Sequence, residues 1–177
     1  MNRFLIFIFL FLFAFCNEVK MDVPEITNDL EINEELLIDV NRNWIKDESF
    51  LIEQFCFRHN IDIVETKSGV RFCVYETNNG AEIESGNLVS INYEVRLLDS
   101  DTTLCYSSKN NQPFSFIVEM DNIESGLHEA ITYFKVGESG VVILPHYLAH
   151  GLLGNMDKIP PLSPVLYNIQ VIDVKRK

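Results

Sequence analysis

The residues of this chain with the widest chemical reach are its four histidines and four cysteines, and neither set is spaced for a familiar centre. His146 and His150 stand four apart, as two ligands on a zinc-protease helix would, but Tyr147 follows His146 where such a helix carries Glu. Pro145 and Gly151 bracket the pair and read as a loop. No metal site is expected. Cys56, Cys73 and Cys105 form no CxxC pair and no even framework, so they are expected as buried small hydrophobes without a structural disulfide. Asp99, Asp101 and Asp121 match no calcium-binding loop and read as solvated turn residues. Serines, histidines and aspartates occur, yet no GxSxG elbow organises them. No cofactor is expected.

Cys16 is the exception in its placement. It ends the apolar run Phe4–Phe15 and is followed at once by Asn17 and Glu18. The run is shorter than the roughly 20 apolar residues a membrane-spanning helix needs, and with Arg3 ahead of it reads as a signal sequence. The stretch Leu12-Phe13-Ala14-Phe15-Cys16 resembles the end of a bacterial lipoprotein signal, in which the Cys carries the lipid, although Phe15 is bulky where a small residue is usual. That resemblance implies lipidation at Cys16 and an envelope location, periplasm-facing and membrane-anchored; an ordinary secretory signal that happens to contain a Cys is the plainer reading.

The chain has 177 residues, 47% of them hydrophobic, enough for one domain with a core. A formal net charge of −12 argues against a nucleic-acid partner, since phosphate binding draws on Lys and Arg. Residues 17–65 hold thirteen Asp/Glu against four Lys/Arg, a local balance of −9. Within that acidic stretch, 17–27 is polar, contains Pro24 and reads as a flexible tether. A helical segment then spans 28–65. From the possible N-cap Asn28, with Glu31 three residues on, Ile32, Leu36, Leu37, Val40 and Trp44 recur at helical spacing. Asp47 offers a second N-cap for Phe50, Leu51, Gln54, Phe55 and Arg58, and Asn60 offers a left-handed C-cap. Two helices are expected, outside the domain that follows and dispensable for its fold.

Beyond Thr66 the period becomes two. Gly69–Tyr75 reads as a strand closed by Asn78-Asn79-Gly80. Val89, Ile91, Tyr93, Val95 and Leu97 share one face of a long strand, with Ser90, Asn92, Glu94 and Arg96 on the other. Phe114, Phe116 and Val118 alternate likewise, as do Val165, Tyr167, Ile169 and Val171. Between them Ile123, Leu127, Ala130, Ile131 and Phe134 repeat at helical spacing on a short helix ending before Gly137. The expected class is α+β, an antiparallel sheet wrapped around a short amphipathic helix over residues 66–177.

From Gly86 to Val174 a series of landmarks resembles the FKBP family of peptidyl-prolyl cis-trans isomerases. It comprises Val89-x-Ile91-x-Tyr93, Leu97-Leu98-Asp99, Ser107-Ser108, Pro113-Phe114-x-Phe116, Ile123-x-x-Gly126-Leu127-x-Glu129-Ala130, Lys135-x-Gly137-Glu138, Pro145 with Leu148-Ala149-x-Gly151, and Ile159-Pro160-Pro161. The acidic helical segment behind a lipoprotein-type signal further resembles the FKBP-like lipoproteins associated with gliding motility in Bacteroidota. The family resemblance implies a proline pocket built by Tyr93, Phe114, Ile123, Leu127, Ile159 and Tyr167, with His150 standing where the family usually has Tyr. Read from the residues alone, alternating aromatics on strands are more often plain core than ligand walls. Cys105-Tyr106 replaces an aromatic followed by Asp, Leu127 replaces a frequent Trp, and Glu124 stands at a usually apolar position.

The function this implies is isomerisation of prolyl bonds in exported proteins, acting on proline-containing polypeptides. The alternative is a non-catalytic binding or scaffold module holding an envelope protein partner. A lipid anchor would be the link to the membrane.

Overall fold

In a computed structural model, residues 34–109 and 112–176 are described. The expected signal sequence, the lipidation site Cys16, the tether 17–27 and the helix start at Asn28 lie outside the described residues. Residues from Ile38 onward form one compact unit.

The first element, α1 (Glu34–His59), is a single helix of 26 residues and not two. Nothing between Trp44 and Phe50 breaks it: Ile45, Lys46, Asp47, Glu48 and Ser49 include neither Gly nor Pro, and extending a formed helix costs less than nucleating another. Glu34 and Glu35 lie in the first turn, and Arg58 and His59 in the last, so charge and helix dipole agree at both ends. The stop is where the sequence places it. Asn60 adopts φ 52°, and the Ile61 and Asn60 amides donate to the Cys56 and Phe57 carbonyls at 3.0 and 3.4 Å, a Schellman closure.

Seven antiparallel strands follow: β1 (Val64–Glu65), β2 (Arg71–Glu76), β3 (Leu88–Leu97), β4 (Leu104–Ser107), β5 (Phe114–Ile117), β6 (Ser139–Leu144) and β7 (Val165–Lys175). Their order is β1-β2-β6-β7-β3-β4, with β5 sharing the outer edge of β3. β5 pairs with the first half of β3, Leu88–Ile91, and β4 with Glu94–Arg96. A short helix, α2 (Ser125–Ile131), packs on one face of the sheet. The expected α+β architecture is therefore present.

The alternation in β3 works as read, since Val89, Ile91 and Val95 are buried against Leu127, Ala130, Ile131 and Phe134 in the main core. Gly126 lets α2 approach closely: a Cβ there would lie 2.6 Å from Leu144 Cδ2 and 2.9 Å from the Leu148 carbonyl. Strand β6 was absent from the sequence reading because it does not alternate. Val141, Val142, Ile143 and Leu144 are all buried, and such a run signals cover on both faces. Val142 and Leu144 face the α2 core. Val141 and Ile143 join Leu98 and Leu166 in a second cluster with Ile52, Phe55 and Cys56 of α1.

This second cluster corrects the expectation that the helical segment stands apart from the domain. Helix α1 is the lid of the sheet's other face. A buried polar pair fastens it as well, because Glu48 Oε1 accepts the His146 backbone N–H at 2.7 Å and Oε2 lies 2.8 Å from His146 Nδ1. Arg71, only 2% exposed, adds Ser49 Oγ at 2.7 Å and Glu65 at 3.0 Å.

Candidate functional site

The face of the sheet that holds α2 also holds a cavity of about 650 Å³, lined from six directions. Strand β3 supplies Ile91, Tyr93 and Val95, β4 supplies Tyr106, β5 supplies Phe114 and β7 supplies Tyr167. The approach to α2 adds Asn122, Ile123, Glu124 and Ser125, with Leu127 from its first turns. Ala149 and His150 close the list from the segment after the 3-10 turn His146–Leu148.

Exposure orders these side chains by depth. Ile91, Leu127, Val95 and Tyr167 lie deepest, at 0%, 2%, 3% and 4% exposed, while Phe114 is 37% exposed at the mouth. The aromatic wall is self-supporting. Tyr93 meets Phe114 edge-on at 5.9 Å and Tyr167 at 6.4 Å, and Phe114 stacks on Phe116 at 5.6 Å. Buried Ser108 holds the backbone of Tyr93 in place, accepting its amide N–H at 2.8 Å on Oγ and donating its own amide to the Tyr93 carbonyl at 2.9 Å. The paired serines singled out by sequence thus anchor a wall strand and do not line the cavity themselves.

Of the residues implied by the resemblance, Tyr93, Phe114, Ile123, Leu127, His150 and Tyr167 line this one cavity. Ile159 does not; it is 2% exposed and packed within the main core. Its segment is shaped by Asn155, whose Oδ1 accepts the amides of Asp157 and Ile159 at 3.1 and 2.9 Å. Tyr106 is a wall residue that the sequence marked only as a departure. Its hydroxyl donates to Asp157 Oδ2 at 2.8 Å, and Asn155 Nδ2 donates to it at 2.6 Å. A carboxylate therefore does reach the β4 wall, from 51 residues away in sequence. That hydrogen bond, with burial second, pushes the Tyr106 phenol up from its usual range.

Glu124 is the polar feature that the sequence could not place. It occupies the N-cap of α2, but its side chain makes no cap hydrogen bond. Instead Oε1 accepts the Tyr167 hydroxyl at 2.9 Å and sits 3.2 Å from His150 Nε2. Burial first, then the Glu124 charge and hydrogen bond, push the Tyr167 phenol far above its usual range, so Tyr167 stays a neutral donor. His146 and His150, considered above as a metal pair, are held by different carboxylates, Glu48 and Glu124. Asp99, another candidate ligand, is an exposed turn residue whose carboxylate accepts from Thr103 and is thereby held below its usual range.

A cavity with a wall of Tyr and Phe, a deep Leu floor and hydroxyl and carboxylate groups at one side suits a flat apolar ring joined to a polar backbone. The comparisons agree with that geometry. A family model described as FKBP-type peptidyl-prolyl cis-trans isomerase matches residues 80–172, just over half the chain. The peptidyl-prolyl cis-trans isomerase Mip of Coxiella burnetii is 29% identical over 110 residues, covering 62% of this chain and 46% of its own length. The FKBP-type 22 kDa peptidyl-prolyl cis-trans isomerase of Escherichia coli is 28% identical over 109 residues, covering 62% of this chain and 52% of its own. The chain thus spans about half the length of the curated relatives it matches. Among solved structures, a peptidyl-prolyl cis-trans isomerase from Pseudomonas syringae superposes with a TM-score of 0.62 at 23% identity, over 76% of this chain and 96% of that one, which shows the shared fold.

Proposed function

This chain belongs to the FKBP-type peptidyl-prolyl cis-trans isomerase family, and from that premise we propose that it catalyses cis-trans isomerisation of prolyl peptide bonds in polypeptides of the bacterial envelope. The observation that carries the reading is the cavity in which Tyr93, Phe114, Leu127 and Tyr167 converge.

The chemistry asks for little machinery. Resonance holds a peptide bond planar behind a barrier of roughly 18–20 kcal/mol, and prolyl bonds are the ones that populate cis substantially. No covalent bond breaks, and no proton has to leave the substrate. What lowers the barrier is tighter binding of the twisted amide than of either planar form. A proline ring seated on Leu127 among Tyr93, Phe114 and Tyr167 would leave its amide carbonyl poorly hydrated, which weakens resonance. The Tyr167 hydroxyl beside that space already donates to Glu124 and leaves its oxygen as an acceptor.

The envelope part of the proposal rests on the apolar run Phe4–Phe15 ending at Cys16. A narrower place among gliding-motility lipoproteins rests on the same leader and the acidic segment behind it. A second reading, binding without appreciable catalysis, is favoured by Glu124 and His150, which put a hydrogen-bonded polar pair against the cavity where the family resemblance implies an apolar side chain and a phenol.

The test is a protease-free exchange measurement by NMR on proline peptides with the full chain. Catalysed exchange is expected, reduced about tenfold or more by Phe114→Ala, a loss of about 1.4 kcal/mol. Exchange at the buffer rate with peptide still bound would select the second reading, and neither exchange nor binding would reject both.

A further inference from the structure

We propose that Glu124 makes the cavity selective for prolyl bonds flanked by a basic residue, an inference that rests on the proline-binding reading above. Both contacts of the Glu124 carboxylate, to the Tyr167 hydroxyl and to His150 Nε2, fall on Oε1. Among the described residues no group bonds Oε2. The only solvent-excluded side-chain polar atom without a partner among those residues is Arg71 Nε, so Oε2 is reached by solvent. Glu124 lines the cavity, and its side chain is 17% exposed. The carboxylate is thus held in a fixed orientation by one oxygen while the other has spare acceptor capacity at the site.

A charged acceptor fixed beside aromatic rings discriminates among substrates by charge. A Lys or Arg next to proline would lay its methylene stem along Tyr93 or Phe114 and bring its cationic head to Oε2, gaining an ion pair and apolar contact together. An acidic neighbour meets repulsion at short range. Nearby charge does not cancel the effect wholesale: at the β4 wall Lys158 is 5.0 Å over the Tyr106 ring, but Asp157 is bonded to the same phenol, leaving that end balanced. His150 is the one basic group on Glu124, and it occupies Oε1. The negative charge also comes preorganised, because Tyr167 and His150 already hold the rotamer, so less ordering is lost on binding.

The experiment is an affinity series on the full chain with acetylated, amidated peptides in which Lys, Ala or Glu precedes proline, and a matching series in which it follows. In at least one series the Lys peptide is expected to bind about fivefold tighter than the Ala peptide, with the Glu peptide weakest. Glu124→Gln keeps an acceptor for the Tyr167 hydroxyl and is expected to collapse the spread, and 0.5 M NaCl to shrink it. Glu53→Gln removes an equal charge from α1, on the other face of the sheet, and should leave the spread intact. Uniform affinity across both series in the wild-type chain, persistence of the spread in Glu124→Gln, or its collapse in Glu53→Gln would each overturn the inference while leaving proline binding standing. Failure of every peptide to bind would overturn the proline reading, and this inference with it.

Discussion

A single side chain, Tyr167, joins the sheet, the cavity and the acidic residue beside it. Its hydroxyl is buried and donates to Glu124 at 2.9 Å, so removing the oxygen leaves Glu124 with His150 as its remaining bonded neighbour. Tyr167→Phe is expected to cost about 1.5–3 kcal/mol in urea unfolding, the usual range for a hydrogen bond to a charged group. The change should register as a shift of midpoint at unchanged slope. At this scale the sequence was legible for apolar walls and poorly legible for polar ones. Tyr93, Phe114, Leu127 and Tyr167 follow from alternation and helical spacing plus the landmark series. Glu124 could be numbered but not oriented, because an N-cap side chain can turn to its own helix or away from it, and the choice depends on Tyr167, 43 residues distant. Ile159 fails for a related reason: an Ile before two prolines reads the same whether it faces a cavity or a core.

Among the elements, α1 departs furthest from expectation. Its inward residues Ile52 and Phe55 are 0% and 1% exposed against the sheet, but only Phe55 belongs to the stripe read from the sequence, whose Phe50 and Leu51 are 63% and 45% exposed on the outer side. What the sequence could not supply was the surface they meet, since Val141 and Ile143 belong to a strand whose unbroken apolar run hid its two-sided burial. Phe55→Ala is expected to cost about 3–5 kcal/mol, as for other large-to-small changes in a core. A chain lacking α1 would expose Leu98, Val141, Ile143 and Leu166 together. It should lose cooperative unfolding or self-associate, measurable by calorimetry and light scattering; a well-behaved monomer with an unchanged midpoint would show that the helix is an ornament. The strands β3, β5 and β7 were readable because each has one dry face and one wetter face. Strand β4, in which Leu104, Cys105 and Tyr106 are consecutive, carries no apolar–polar alternation to read.

For the molecule as a whole, the phenols and thiols set an alkaline limit. Burial, as the leading cause, raises Tyr75, Tyr147, Tyr167, Cys56, Cys73 and Cys105. In each the folded form holds its proton more tightly than the unfolded chain. That part of the stability is complete below the unfolded values, about 8.5 for Cys and about 10 for Tyr, and drains away as pH climbs past them. The urea midpoint is therefore expected to fall steadily from pH 8.5 to 10.5, and Tyr167→Phe should flatten the upper part of that fall. A final consequence concerns time. Strand β7 is last of the seven in chain order, yet it sits between β6 and β3, and no backbone hydrogen bonds join those two directly. Before residues 165–175 have been synthesised, the ladder exists only as two separate pieces, β1-β2-β6 and the group around β3. The strand order thus delays closure of the sheet until residues 165–175 are available to join the two pieces. Translation products arrested ahead of Val165 should be digested by added protease as fast as an unfolded chain, and those released after Lys175 should resist it.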